Sequence, residues 1–397
     1  MRLPYIKHQG FMTINIKNIK RFALLCTATL ALTSCLKDKP FPLYGKQATS
    51  PKFDYTYDKT ADTLQEKTYT TFLSSNGNYF IQNNQGNTQY NYWPQAHTLD
   101  AFTDAYLRTK NDVYKQRMKS LLTGTYKANG NRYENDFYDD MEWLALASLR
   151  AYEVTKDADY LTAAKTLWTD IKKGKNDQQG GGIAWNKSKP GYKNTPANAP
   201  AIIFAARLYQ LEKNQADLDL AKELYTWLKK TLLDGSGIIF DGINSNGDGT
   251  IDKNKFTYNQ GVYMGAALEL YNATGDAAYL TDATNNATAT IKDLDISPGG
   301  LLKNEGQGDG GLFKGILVRY LTLLTLKEDV PSATRDNYAA FLKYNAETLF
   351  AKGIGRPDFM VSPDWKTKPS GTTDLTTQIS GLTTIEAAAT LKAAGKF

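Results

Sequence analysis

Apolar residues recur at intervals of three and four along almost the whole chain after about residue 60, the spacing that lines one face of a helix. The pattern predicts about twelve helices, over residues 61–74, 94–109, 111–123, 140–155, 157–172, 197–213, 216–233, 258–274, 276–292, 310–326, 332–351 and 377–394. No comparable run alternates with the period of two that a half-buried strand requires. The expected class is therefore all-α.

A weak internal repeat pairs these helices. Tyr152-Glu-Val-Thr-Lys-Asp157-Ala-Asp-Tyr160-Leu161 recurs as Tyr271-Asn-Ala-Thr-Gly-Asp276-Ala-Ala-Tyr279-Leu280, and looser copies begin at Tyr106 and Tyr209. Each copy ends one helix, makes a short polar turn and starts the next. Hairpins repeating at roughly fifty to sixty residues suggest a solenoid or a closed ring. The links between hairpins, 124–138, 174–196, 234–257 and 293–309, are long and rich in Gly, Asn and aromatic residues. Elaborate loops gathered at one end of a helical ring point to a functional site there.

The composition, 41% hydrophobic and 22% charged over 397 residues, is that of a soluble folded chain of one or two domains with a large core. The N-terminus alters how the charge is read. Lys17, Lys20 and Arg21 precede the apolar run Phe22 to Leu32, and Leu32-Thr33-Ser34-Cys35 follows, the order of a bacterial lipoprotein signal with Met12 as a plausible start. About eleven apolar residues are too few to span some thirty ångströms of hydrocarbon as a helix. Cleavage before Cys35 removes Arg2, Lys7, Lys17, Lys20 and Arg21 and no acidic residue, lowering the net charge from +6 to about +1. The electrostatic case for a nucleic-acid partner goes with them.

The expected layout is a signal over 1–34, a tether over 35–60 rich in Pro, Lys, Thr and Tyr, and one domain over 61–397. Cys35 carries the lipid, and the expected location is the bacterial outer membrane, on its outer or periplasmic face. No second Cys is left for a disulfide, and His97 is the only remaining His. Cys-His zinc sites are excluded, and carboxylates are left as the acid and base groups.

Asp139 and Asp140 stand between the aromatic stretch ending at Tyr138 and the apolar run Met141 to Leu149. One reading makes Asp139 a helix N-cap, with Glu142 completing a capping box and Asp140 favoured by the positive helix end. The other makes the pair the acid and nucleophile of glycoside hydrolysis, since one of two neighbouring carboxyls tends to be held protonated. Rings in the links, among them Tyr90, Tyr92, Tyr133, Phe137, Tyr192 and Phe256, alternate with amides and acids, a composition suited to sugar faces and hydroxyls. Gly180-Gly181-Gly182-Ile183-Ala184-Trp185 is a tight turn delivering a Trp, and lacks the Lys-Ser/Thr ending of a phosphate loop. Asn244, Asn246, Asp248 and Asp252 match ligand positions of a calcium loop, but Lys255 stands where the bidentate Glu belongs, which favours a polar turn. No metal or other cofactor is expected.

Five separated segments read together: Tyr92-Trp93-Pro94-Gln95-Ala96, Tyr138-Asp139-Asp140-Met141-Glu142-Trp143, Gly180 to Trp185 with Tyr192-Lys193-Asn194, Phe256-Thr257-Tyr258-Asn259-Gln260-Gly261, and Phe313-Lys314-Gly315-Ile316. In this order they resemble glycoside hydrolase family 76, the endo-α-1,6-mannanases, from about residue 60 to the C-terminus. The resemblance implies an (α/α)6 toroid of twelve helices. It also implies retaining hydrolysis of α-1,6-linked mannan, with Asp139 as nucleophile and Asp140 as general acid/base. Trp93, Gln95, Tyr138, Gly181, Gly182, Trp185, Asn194, Asp241, Tyr258, Asn259 and Gln260 become candidate sugar contacts, and Trp143 and Lys314 either contacts or structural residues. Pro94 and His97 depart from the bacterial pattern in the first motif. The implied protein is a monomer that meets mannan or manno-oligosaccharides as its partner and the membrane through its lipid alone. Two alternatives remain: a mannan transglycosylase, and a lipoprotein that only captures glycan.

Overall fold

The computed structural model describes residues 56–397, so the expected signal, Cys35 and nearly all of the tether lie outside the described residues. Twelve α-helices follow: α1 Tyr57–Phe72, α2 Trp93–Thr109, α3 Asp112–Ala128, α4 Tyr138–Thr155, α5 Ala158–Ile171, α6 Ala199–Glu212, α7 Gln215–Leu232, α8 Thr257–Thr274, α9 Ala277–Lys292, α10 Gly310–Leu326, α11 Ser332–Thr348 and α12 Leu375–Ala393. The expected helices agree with these except at their ends. α1 starts four residues early because the Thr56 hydroxyl accepts from the Lys59 N–H at 3.3 Å and caps it.

The even-numbered helices form an inner ring and the odd-numbered ones an outer ring. α2, α4, α6, α8, α10 and α12 pack in succession, and α12 returns to α2 to close the circle. Each outer helix backs an inner one, with α1 completing the ring behind α12. The division is written in the side chains. α7 buries Leu218, Ala221, Leu224, Tyr225, Leu228 and Leu232 on one stripe, whereas α8 buries thirteen residues around most of its circumference. Inner helices also approach closely: a Cβ at Gly261 would sit 2.6 Å from the Leu317 Cα, and one at Gly315 would sit 2.7 Å from the Ser380 Cα.

The repeated turn has a single geometry. Lys110, Lys156, Lys213 and Gly275 are left-handed, and each donates its N–H to a tyrosine carbonyl four residues back, on Tyr106, Tyr152, Tyr209 and Tyr271. Asn111, Asp157, Asn214 and Asp276 then cap the outer helix through their side chains. Every such turn lies at the C-terminal ends of inner helices. The long links therefore enter the N-terminal ends, and they gather at the opposite mouth of the ring.

Two of these links carry the one sheet of named strands among the described residues. Strands β1 Ala184–Asn186, β2 Lys189–Asn194, β3 Gly242–Ile243 and β4 Ile251–Asp252 form a small antiparallel sheet in that order. Strands this short cannot display a period, and β2 contains both Pro190 and Gly191, so no sequence pattern marks them.

Candidate active site

Helix α4 begins at the mouth of the ring and sets the acidic pair in its first turn. Phe137, extended and without a side-chain bond to the helix, holds the cap position, which corrects the capping role expected for Asp139. Instead, Asp139 Oδ1 accepts from the Asp140 N–H at 3.0 Å and Oδ2 accepts from the Trp185 indole N–H at 3.1 Å. Asp140 Oδ2 accepts from Asn135 Nδ2 at 2.9 Å. Glu142 is fully buried and makes no bond back to the cap, so no capping box forms.

Both carboxyls line a cavity of about 420 Å3. Phe137, Trp185 and Tyr192 make one aromatic wall, with successive rings edge to face at 4.9 and 5.4 Å. Tyr258 and Phe313 make another, stacked at 3.8 Å with only 5° between their planes. Trp93 and Trp143 also line the space, with the buried His97 ring between them at 5.4 and 4.9 Å. Burial pushes that imidazole down to about 3, so it is neutral packing at physiological pH. Asn91, Asn194, Asp241 and Asp309 supply the remaining polar groups.

The electrostatics of the pair follow from its donors. Burial pushes Asp139 up to about 7, opposed by the Asp140 N–H and by Trp185. Burial, with the neighbouring charges of Asp139 and Asp309, pushes Asp140 well above the carboxylate range against the single Asn135 donor. Two donors against one make Asp139 the more acidic of the two. Burial outweighs the helix N-terminus, which acts on both in the opposite direction. Asp241, buried as well, is pushed up to about 6 and is held by Asn259 Nδ2 at 2.8 Å and by Tyr192.

Of the predicted contacts, the cavity gathers Trp93, Trp185, Asn194, Asp241 and Tyr258 with the Asp pair. The others stand behind it. Gln95 is buried and bonds both the N–H and the carbonyl of Phe80, and Gln260 does the same to Ile239. Asn198 repeats the pattern on Ile183. Amides at the starts of inner helices thus pin the preceding links, which is why they recur in the motifs without facing the cavity. Asn259 reaches it only through Asp241, and Tyr138 turns outward against Gly174. Gly181 and Gly182 lie under Trp227 instead of a ligand: a Cβ on Gly182, whose φ is +80°, would meet that ring at 2.9 Å. Lys314 is buried behind the site, bonded to the Pro363 carbonyl and 4.7 Å from the Trp365 ring centre.

The 244–252 loop spends its oxygens on itself. Asn244 Oδ1 accepts from Gly249 N, Asp248 Oδ1 from Thr250, and Asp252 Oδ1 from Asn254 N, the bonds of a polar turn. Among the described residues no group of three or more His, Cys, Asp and Glu is placed to hold a metal ion. The residues missed from sequence are Asn91 and above all Asp309, whose Oδ1 accepts from the Trp93 indole at 3.0 Å; Phe313 stood in the fifth motif without being named a contact. The only signal for Asp309 was its place before Gly310-Gly311 at the start of α10.

A twelve-helix (α/α)6 ring whose mouth holds adjacent carboxyls among aromatic rings is the framework of a carbohydrate-active enzyme. The chain belongs to glycosyl hydrolase family 76, whose description matches residues 56–396. The α-1,6-mannanase of that family from Salegentibacter sp. HEL1_6 superposes with a TM-score of 0.82 at 47% identity, covering 85% of this chain and 100% of that one. An inactive variant of the same enzyme, in complex with α-1,6-mannotriose, superposes with a TM-score of 0.83 at 46% identity over the same shares. Mannan endo-1,6-alpha-mannosidase DCW1 of Candida glabrata is 28% identical over 47% of this chain and 46% of its own length. DFG5 of Saccharomyces cerevisiae, of the same description, is 25% identical over 68% of this chain and 64% of its own. The match thus spans from about half to under two thirds of these curated relatives.

Proposed function

We propose that the protein is an endo-acting, retaining α-1,6-mannanase that uses Asp139 as nucleophile and Asp140 as general acid/base. The observation that carries the reading is the pair itself: adjacent carboxyls in one sugar-sized cavity, with Asp140 the less acidic. Asp140 passes its proton to the glycosidic oxygen as the C1–O bond breaks, and the Asp139 carboxylate bonds to C1 from the other face. The leaving mannan departs as a neutral alcohol. Asp140, now a carboxylate, takes a proton from water; that water breaks the glycosyl ester, returning Asp139 and an α-configured product. Trp185, Tyr192, Tyr258 and Phe313 offer ring faces and edges for the pyranose units, and Asn91, Asn194 and Asp241 offer hydroxyl partners. The Salegentibacter enzyme supports the choice of substrate and residues, since its inactive form replaces two consecutive aspartates and binds α-1,6-mannotriose.

Incubation with linear α-1,6-mannan tests this. Reducing ends should appear, with the α-anomer first in early NMR spectra, and Asp140→Asn should abolish their release while mannotriose still binds. First release of the β-anomer would contradict retention, and near wild-type turnover by the Asn variant would remove Asp140 from its role.

We further propose that Cys35 bears the lipid that fixes the enzyme to the outer membrane. Palmitate labelling of the wild type, lost in Cys35→Ser, is the expected result, and protease treatment of intact cells distinguishes an outer from a periplasmic location.

A further inference from the structure

Besides Asp241, the cavity that Asp139 and Asp140 line holds a further carboxylate, Asp309, on a different element from the pair. Asp309 ends the link before α10 and is exposed, yet its position is set by its neighbours. Gly308 N donates to Asp374 Oδ2 at 2.7 Å, Gln307 Nε2 to the Thr372 carbonyl at 2.7 Å, and the Thr376 hydroxyl to the Gly308 carbonyl at 2.5 Å. The Thr377 hydroxyl reaches Gln307 Oε1 at 2.6 Å, and the space beside Gly311 is filled by the same threonine. The turn is therefore tied to the start of α12. On the cavity side the Trp93 indole N–H donates to Asp309 Oδ1 at 3.0 Å, so the side chain is held there while the two residues before it are tied to the segment leading into α12. A carboxylate that accepts from a buried indole, on a turn anchored just before it, has a preferred direction.

We propose that Asp309 is a positioning residue for the reaction: its carboxylate, directed by the Trp93 indole into the cavity that Asp139 and Asp140 line, governs how Asp140 exchanges its proton with the leaving oxygen and with water. This inference rests on the assignment of Asp140 as general acid made above. The groups facing Asp140 are few. Asp139 stands beside it on α4, Asn135 donates from the preceding link, the Tyr90 and Tyr92 phenols face it from the segment before α2, and Asp309 faces it from the start of α10. Both phenols are pushed far up by burial and stay neutral. Neither Asp139 nor Asp140 forms an ion pair with Lys or Arg among the described residues, so no cation offsets the two acidic neighbours. Asp309 acts on Asp139 as well. Asp139 is shielded by its two donors, and Asp140 by one. Once Asp139 is esterified by the sugar its charge is gone, and Asp309 becomes the main fixed charge acting on Asp140 as it turns from acid to base. Without it Asp140 would be a weaker base toward water.

The test compares wild type with Asp309→Asn, whose amide oxygen can still accept from the Trp93 indole and so preserves the turn. The alkaline limb of kcat/KM on linear α-1,6-mannan should move about one pH unit toward acid, a roughly tenfold loss on that limb, with KM nearly unchanged. Trp93→Phe, which keeps the charge but releases its direction, should move the limb less and raise KM. A profile for Asp309→Asn that superimposes on the wild type would overturn the proposal, as would a change in KM alone. The Asp140 carboxyl titration, followed by 13C NMR and assigned with Asp140→Asn, supplies a readout that needs no turnover. If the wild type cleaves no α-1,6-mannan, the functional reading fails; an Asp140 titration indifferent to Asp309→Asn sinks only the role of Asp309.

Discussion

Trp185 Nε1 donates to Asp139 Oδ2 at 3.1 Å, and this one bond joins the small sheet to the first turn of α4. Trp185 is the middle residue of β1, packed edge to face on Phe137 and Tyr192. Its indole therefore approaches Asp139 from a wall that is itself fixed; it directs the carboxylate and, with the Asp140 N–H, favours the charged form of Asp139.

Trp185→Phe keeps the ring packing and removes the donor. A hydrogen bond to a charged group contributes about 1.5 to 3 kcal/mol, so kcat on mannan should fall by about ten- to a hundredfold while the protein stays folded. Steady-state kinetics alongside far-UV circular dichroism checks both parts. Unchanged kcat would mean that the bond does not survive in the substrate complex.

Activity should depend steeply on acidity on the low side of neutrality. In the proposed mechanism turnover needs Asp139 charged and Asp140 protonated, and burial pushes Asp139 up to about 7. The acid limb of kcat/KM is thus expected near pH 7, with activity about a hundredfold below the plateau at pH 5. The alkaline limb belongs to Asp140, which lies higher. An acid limb near pH 4 would show that water relieves the burial of Asp139 in solution.

The same burial makes Asp139 a cost to the fold. Below the ordinary carboxyl value near 4 the group is protonated in both states, and the penalty is absent; it grows as pH rises and is complete above about 7, where the native state holds a buried charge. Asp139→Asn should therefore raise the melting temperature at pH 8 and leave it unchanged at pH 3. At 1.36 kcal/mol per tenfold change in acidity, the gain is at most about 4 kcal/mol. Since Phe137 occupies the cap position, no lost cap offsets it. Calorimetry at the two pH values decides, and a destabilised variant at pH 8 would contradict the account.

The ring was legible because its parts repeat. A tyrosine, a left-handed Lys or Gly and a capping Asn or Asp recur four times at the turns, and local chemistry alone dictates that geometry. The acidic pair was legible because its two members are neighbours in the chain. What sequence could not separate were amides that line the cavity from amides that stand behind it: Gln95 and Asn194 look alike until Gln95 is seen bonded to Phe80 on both sides while Asn194 borders the cavity. Asp309 was hidden for the opposite reason. Its partners, Trp93 and the 372–377 segment, are remote in sequence, and only closure of the ring brings them together.

Lys193 links this scaffold to the chemistry. Its side chain is fully buried, next to Tyr192 on β2 and paired across the strands with Ala184, the residue before Trp185. Nζ donates to the Gly182 carbonyl at 2.6 Å and to the Asn176 carbonyl at 3.0 Å, closing the glycine turn from beneath, and burial pushes the ammonium down to about 8. Between that value and its ordinary one near 10.4, the unfolded chain binds the proton that the folded chain has released, so this group alone makes stability rise with pH over that window. Lys193→Met fills the same space and removes the burial cost of the charge, but leaves the Asn176 carbonyl without a donor, at about 1 to 3 kcal/mol, and the Gly182 carbonyl with the Asn176 N–H alone, at 3.3 Å. The variant should unfold at a lower denaturant concentration at pH 7, and its kcat should fall several-fold because the turn that carries Trp185 to Asp139 loosens. Adding Trp185→Phe should then cost little further activity, since both changes break the same bond. A double mutant whose losses simply multiply would show that Lys193 and Trp185 act on turnover independently.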